Sequence, residues 1–297
     1  MDARQLEYFL AIVDHKGFSR AAERLHVAQP SLSQAIQTLE RDLGVALFHR
    51  VGRRVVLTEA GHAMVAPARQ VLRDLETTRA TVESIKGVRS GRVDIAAMPS
   101  QAVEPLTTMV TRFTKRYPGI VVNVHAVFTV QEAIDAVRDG SCELALAGSG
   151  EELRPPGVQA HMIEEQRFIL AAPPGRPLGD VGRITWEQLA GQWVIAAPAG
   201  SRMRHIVDQI QADGVDFPIA VEVAHREAIL PLVLNGAGVA ILTEAWTRTA
   251  RRGGAQVLQL DPAQWIRIFL LNRRAPLTPA ARSFREIALA SAHNTHR

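Results

Sequence analysis

The chain of 297 residues holds one cysteine, Cys142. A single thiol closes no intrachain disulfide and builds no multi-cysteine metal site, so its plainest reading is a small buried side chain in a reducing compartment. The amino terminus, Met-Asp-Ala-Arg-Gln, carries no apolar stretch of the signal-peptide kind, and nowhere do about 18 apolar residues run together. Neither export nor a membrane contact is expected, and the expected location is cytoplasmic. The ten histidines include no H-x-x-x-H pair with a carboxylate partner, so no metal site is expected. Gly148-Ser149-Gly150 lacks the first glycine of a G-x-S-x-G nucleophile elbow. Gly236-Ala237-Gly238 follows a helical pattern and precedes a strand, the reverse of a dinucleotide fingerprint, and reads as a helix end. No catalytic constellation remains. The expectation is a protein that is not an enzyme and needs no cofactor.

What is present is an ordinary globular composition, 47% hydrophobic and 22% charged, with length enough for two domains. The net charge of +4 suits a polyanionic partner but is weak evidence alone. Three regimes follow one another: short helical patterns closed by an Arg-rich hairpin (1–58), one long helix (59–88), and apolar strand-like runs alternating with helices (89–297). The basic, Gly- and Ser-containing stretch KGVRSGR, Lys86 to Arg92, is the best boundary between domains.

Leu6, Phe9, Leu10 and Val13 fall at i, i+3, i+4 and i+7, the stripe of a half-buried helix ended by Gly17. Ser19 is the expected cap of a short second helix that turns Ala21, Ala22 and Leu25 inward and Glu23 and Arg24 outward. A third helix begins near Pro30 and stops at Gly44. Its Leu32, Ile36, Leu39 and Leu43 form a stripe expected to be buried. Its other face presents Pro30, Ser33, Gln34 and Gln37, residues suited to the major groove, where glutamine bonds the adenine edge. Residues 47–57 read as a β-hairpin whose Arg50, Arg53 and Arg54 suit phosphate contacts, which position a protein without reading sequence. Together these make a winged helix-turn-helix.

The stretch FSRAAERLHVAQPSLSQAIQTLERDLGVALFHRVGRRVVLTEAG, Phe18 to Gly61, resembles the signature of LysR-type transcriptional regulators. AAxxLxVxQPSLS, IxxLExxLGVxLFxR and LTEAG all stand at that family's spacing, and chain length and domain order extend the resemblance over the whole chain. The resemblance implies a regulator of promoter DNA, with Gln29, Pro30, Ser31, Ser33, Gln34 and Gln37 at the groove and the wing arginines along the phosphates. RNA polymerase is then a candidate partner.

Met64, Ala68, Val71, Leu75, Thr78, Val82 and Ile85 repeat in steps of four and three, a heptad a/d seam on the long helix. Thr58 is its expected cap, and Pro67 is expected to bend it near its start. A seam of this kind fits a two-fold homodimer presenting two recognition helices to a pseudo-palindromic site. The resemblance adds assembly of such dimers into a homotetramer.

Runs at 92–97, 120–126 and 144–147, with helices near 102–116 and 130–139 between them, give a β-α-β alternation and an expected parallel sheet. Strands continue at 168–172, 194–197, 219–224, 239–242, 257–260 and 266–272, before a last helix near 278–292. The resemblance implies a two-lobed α/β effector domain similar to periplasmic binding proteins, with lobe 1 at 92–162 and 266–297 and lobe 2 at 163–265. Strand ends nominate Ser100, Gln101, Phe128, Thr129, Ser201, Arg202 and His225 as contacts to a small-molecule effector. Hydroxyls, helix N-termini, Arg202 and His225 favour a polar or anionic effector such as a small carboxylate. Thr243 and His225 stand where the family often has proline and serine, which leaves the effector class open. A transporter's solute-binding protein, an α/β enzyme and an architectural DNA-binding protein are the competing readings. The first has no use for residues 1–88, the second lacks its catalytic groups, and the third needs no ligand cleft.

Overall fold

The computed structural model describes residues 1–51, 54–84, 91–175, 178–179 and 182–295. The chain divides into two compact units: Met1–Arg89 with Arg138–Ser141 and Ala275–Pro279, and Ser90–Val137 with Cys142–Arg274 and Ala280–Arg297.

In the first unit, Asp2 caps α1 (Ala3–His15) reciprocally, its carboxylate accepting from Gln5 N while Gln5 Oε1 accepts from Asp2 N, both at 2.8 Å. Lys16, left-handed at φ 52°, ends the helix one residue before Gly17. The helix α2 (Phe18–Leu25) follows directly, so Ser19 lies inside its first turn and does not cap it. The Ser19 hydroxyl instead donates to Gln29 Oε1 at 3.1 Å. Pro30 lies in the first turn of α3 (Gln29–Leu43), and Gly44 at φ 72° closes it.

Leu6, Phe9 and Ile12 of α1, Ala21 of α2, and Leu32, Ile36 and Leu39 of α3 share one core with Leu47. Burial of each leucine, isoleucine or phenylalanine side chain among them contributes about 1.5–3 kcal/mol. Leu43 departs from expectation at 39% exposed: its turn of α3 runs past the end of the core. The strands β1 (Phe48–Val51) and β2 (Arg54–Leu57) pair antiparallel, Phe48 opposite Leu57. The Phe48 ring meets Phe9 and Phe18 at 5.4 and 5.7 Å and pins the hairpin to the helices. Thr58 caps α4 (Glu59–Ser84), its Oγ1 accepting from Gly61 N at 3.0 Å, and the helix runs unbroken through Pro67.

The second unit opens with β3 (Gly91–Ala97), α5 (Pro99–Val103), α6 (Leu106–Arg116), β4 (Ile120–Ala126), α7 (Val130–Arg138) and β5 (Leu144–Ser149). It continues with β6 (Val158–Ala172), β7 (Arg183–Thr185), β8 (Val194–Ala196), α8 (Arg202–Ala212), β9 (Ile219–Glu222) and α9 (Ile229–Leu234). It closes with β10 (Ala240–Thr243), α10 (Thr247–Arg252), β11 (Gln256–Asp261), β12 (Trp265–Arg273) and α11 (Pro279–Thr295).

β3 is parallel to β4 and β5, as the alternation predicts. The sheet as a whole is mixed, not parallel, because β12 runs antiparallel to both β5 and β6. The long β6 is shared between two lobes: Val158–Arg167 pairs with β12, and Phe168–Ala172 with β10 and β11. Its first half, with His161, Glu164, Glu165 and Arg167 among apolar residues, lacks a strand's clean alternation, and only the last five residues were expected as strand. In the first lobe Ala133 and Val137 of α7 pack with Ala145, Ala147, Phe269 and Leu271. In the second, Leu170, Ile195, Ile206, Ile229 and Ile241 are all buried. Among the described residues no helix is long and apolar enough to cross a membrane, and no side-chain group is arranged to hold a metal ion.

Candidate nucleic-acid interface and ligand cavity

The buried stripe of α3 leaves its other face in solvent. Gln29, Pro30, Ser31, Gln34 and Gln37 are exposed and Ser33 is half-buried. Because Gln29 Oε1 is occupied by Ser19, its amide N–H groups are left to donate outward. The hairpin beside this helix is held by groups that sequence reasoning missed. Glu40, half-buried in the last turns of α3, accepts from Leu47 N and Phe48 N at 2.7 and 3.2 Å through Oε1. Thr58 Oγ1 donates to Ala46 O at 2.7 Å. Gly61 admits this packing, since a Cβ there would stand 2.2 Å from Leu47 O. Glu40 stands one helical turn from Ile36 and just before the wing, a spacing that could have flagged it. Arg50 and Arg54 stand in β1 and β2, opposite Val55 and Val51. Arg53 lies outside the described residues.

The heptad stripe of α4 is divided. Met64 and Ala68 pack into the core of their own unit, beside Leu72. Val71, Leu75 and Val82 stay exposed at 44, 41 and 65%. The Thr78 hydroxyl bonds back to Asp74 O at 2.7 Å. Ile85 lies outside the described residues. The helix therefore has some of its own chain to bury against, and the apolar stripe continues past it into solvent.

In the second unit a cavity of about 540 Å³ opens where β3, β4 and β5 end and α8 begins. Phe128, Thr129, Ser201 and Arg202 line it, with Ser149, Glu151, His205 and Asp208. Both hydroxyls also serve the fold: Thr129 Oγ1 accepts from Glu132 N at 3.1 Å, and Ser201 Oγ from Arg204 N at 3.1 Å. Arg202 lies over Gly150, where a Cβ would come within 3.1 Å of its Nε. Among the described residues its one hydrogen bond runs from Nη2 to Gln264 Oε1 at 3.4 Å, and its buried Nε meets no acceptor. Ser100 and Gln101 are buried behind this wall, at 4 and 1% exposure. His225 is not part of the lining: its side chain is 82% exposed and faces Glu227 at 3.5 Å. His205 and Asp208, not singled out from sequence, follow Arg202 at i+3 and i+6 on one face of α8, the available signal for them.

Two family models match the chain. "Bacterial regulatory helix-turn-helix protein, lysR family" covers residues 3–62, and "LysR substrate binding domain" covers residues 86–292. The RuBisCO operon transcriptional regulator of Allochromatium vinosum is 29% identical over 99% of this chain and 97% of its own. The HTH-type transcriptional regulator IlvY of Escherichia coli is 32% identical over 82% of each. Among solved structures, full-length OxyR from Pseudomonas aeruginosa superimposes with a TM-score of 0.75 at 22% identity, covering 99% of this chain and 95% of that one. CbnR, described as a LysR family transcriptional regulator, gives 0.69 at 23% identity, over 98% and 99%.

Proposed function

Because the chain belongs to the LysR family of bacterial DNA-binding transcriptional regulators, we propose that it holds a pseudo-palindromic promoter site as a homodimer or homotetramer and answers there to a small polar or anionic metabolite. Its relatives are named as regulators rather than as enzymes. In this reading residues 1–58 bind DNA, α4 joins two chains, and the second unit, in the cytoplasm, senses the metabolite.

The observation that carries the reading is the division of α3. Its apolar stripe is consumed by the core, while Gln29, Ser31, Gln34 and Gln37 are left exposed on the surface, Gln29 with its Oε1 taken by Ser19. Such a face can form paired hydrogen bonds with base edges. These residues are uncharged, and the one basic residue in line with them, Arg41, stands in the last turn of the helix, so most of the phosphate affinity must come from elsewhere. Arg50, Arg53 and Arg54 of the wing are the source, with Arg24 exposed on α2. The exposed Val71, Leu75 and Val82 supply the self-association surface. Thr129, Ser201 and Arg202 supply the effector contacts, with His205 added and His225 left outside.

Footprinting on the promoter beside the chain's own gene, with and without metabolite extract, tests the whole reading. The expected result is a protected palindrome whose extent changes with extract. Uniform coating of unrelated DNA would point to an architectural protein instead.

A further inference from the structure

A second cavity, of about 550 Å³, opens in the second unit and shares no lining residue with the first. Its size falls within the range of small-molecule sites, roughly 300–1,000 Å³. Arg248, Arg251 and Arg252 of α10 line it, together with Glu104, at the turn from α5 to α6, and Glu244, in the short turn before α10. Only Ala245 and Thr247 among its lining residues are uncharged.

Charges of both signs thus stand in one cavity, and they do not neutralise each other. Among the described residues the three guanidiniums form no ion pair and no hydrogen bond. The cause is where the carboxylates are held. Glu244 stands four residues before Arg248, a spacing at which a pair forms readily on a helix. Its Oε1 instead accepts from Arg167 N on β6, at 3.1 Å. Glu104 is half-buried, and its Oε1 accepts from Thr108 Oγ1 at 3.0 Å. Each carboxylate is fixed through one oxygen and has acceptor capacity left on the other. Arg248, Arg251 and Arg252 fall at i, i+3 and i+4, where like charges repel, and no acceptor of the chain offsets them.

We propose that this cavity is a second ligand site and that it takes a free amino acid. The arginines bind the carboxylate, for which the guanidinium fork is the fitting donor, and Glu104 and Glu244 bind the ammonium group. A purely anionic ligand would face two carboxylates, and a purely cationic one would face three arginines. A molecule of both signs answers all five side chains. The proposal does not depend on the first cavity being the effector site.

The test is thermal unfolding of the full chain with each of the standard protein amino acids over a series of concentrations. Any that raises the Tm is compared with its deaminated acid and its decarboxylated amine, against sodium chloride at equal ionic strength. Wild type is set beside Arg248→Gln combined with Arg251→Gln, beside Glu244→Gln, which keeps an acceptor for Arg167 N, and beside Arg202→Met in the first cavity. At least one amino acid should raise the wild-type Tm by about 2–4 °C, levelling off as the site fills. Its acid and its amine should each give less than half of that rise. The rise should vanish in the double variant, shrink in Glu244→Gln and persist in Arg202→Met. Should the double variant be destabilised without ligand, Arg252→Gln decides in its place, and a full rise there overturns the proposal. No saturating rise with any amino acid overturns it too. So does a rise that never levels off and is equal in every variant, the solvent effect of an osmolyte. A full rise with the deaminated acid, unchanged in Glu244→Gln, leaves an anion site and overturns the amino acid. Loss of the rise in Arg202→Met alone moves the amino acid to the first cavity and overturns this one.

Discussion

Glu164 lies half-buried on β6, its carboxylate accepting from Gln166 Nε2 at 2.5 Å. Burial raises its pKa above the ordinary 4.5, Glu104 and Glu244 nearby push the same way, and the Gln166 bond opposes them. A carboxyl with a raised native pKa binds its proton more tightly folded than unfolded. Its stabilising contribution is present below 4.5 and is lost as pH rises through the raised value. Glu164→Gln should therefore unfold at a higher Tm than wild type at neutral pH, the gap closing below 4.5. Equal gaps at both pH values would contradict the burial argument.

The wing and the long helix make separate predictions. Replacing Arg53 and Arg54 together by alanine should weaken operator binding and flatten the log-log salt dependence by roughly one to two units, since each phosphate contact releases about one counterion. An unchanged slope removes the wing from the phosphates. On α4, Leu75 is 41% exposed and lies outside the core of its own unit, so Leu75→Asp should leave that unit folded. It places a charge in the apolar stripe between Val71 and Val82, and should reduce the full chain to monomers in sedimentation. A variant that keeps the wild-type mass at the same concentration assigns self-association elsewhere.

At the scale of the whole molecule, DNA binding and metabolite response reside in different units and should be separable. Gly150→Ala puts a methyl group 3.1 Å from Arg202 Nε, so the guanidinium must shift by a few tenths of an ångström on the cavity wall. Operator affinity without metabolite should be unchanged, while the extract-dependent change in footprint should weaken. Loss of both would contradict the separation. The winged helix-turn-helix, the Thr58 cap and the β-α-β opening of the second unit were all legible in the sequence. Each depends on periodicity or on a cap a few residues from its partner, where local backbone geometry decides the outcome. Ser19 was misread because a choice of cap depends on where the preceding turn closes, here at Lys16 rather than Gly17. Tertiary structure alone decided which part of the heptad stripe is buried, with Met64 and Ala68 inside and Leu75 outside. It also set β12 antiparallel between β5 and β6. Those outcomes rest on partners far along the chain, which no local pattern encodes.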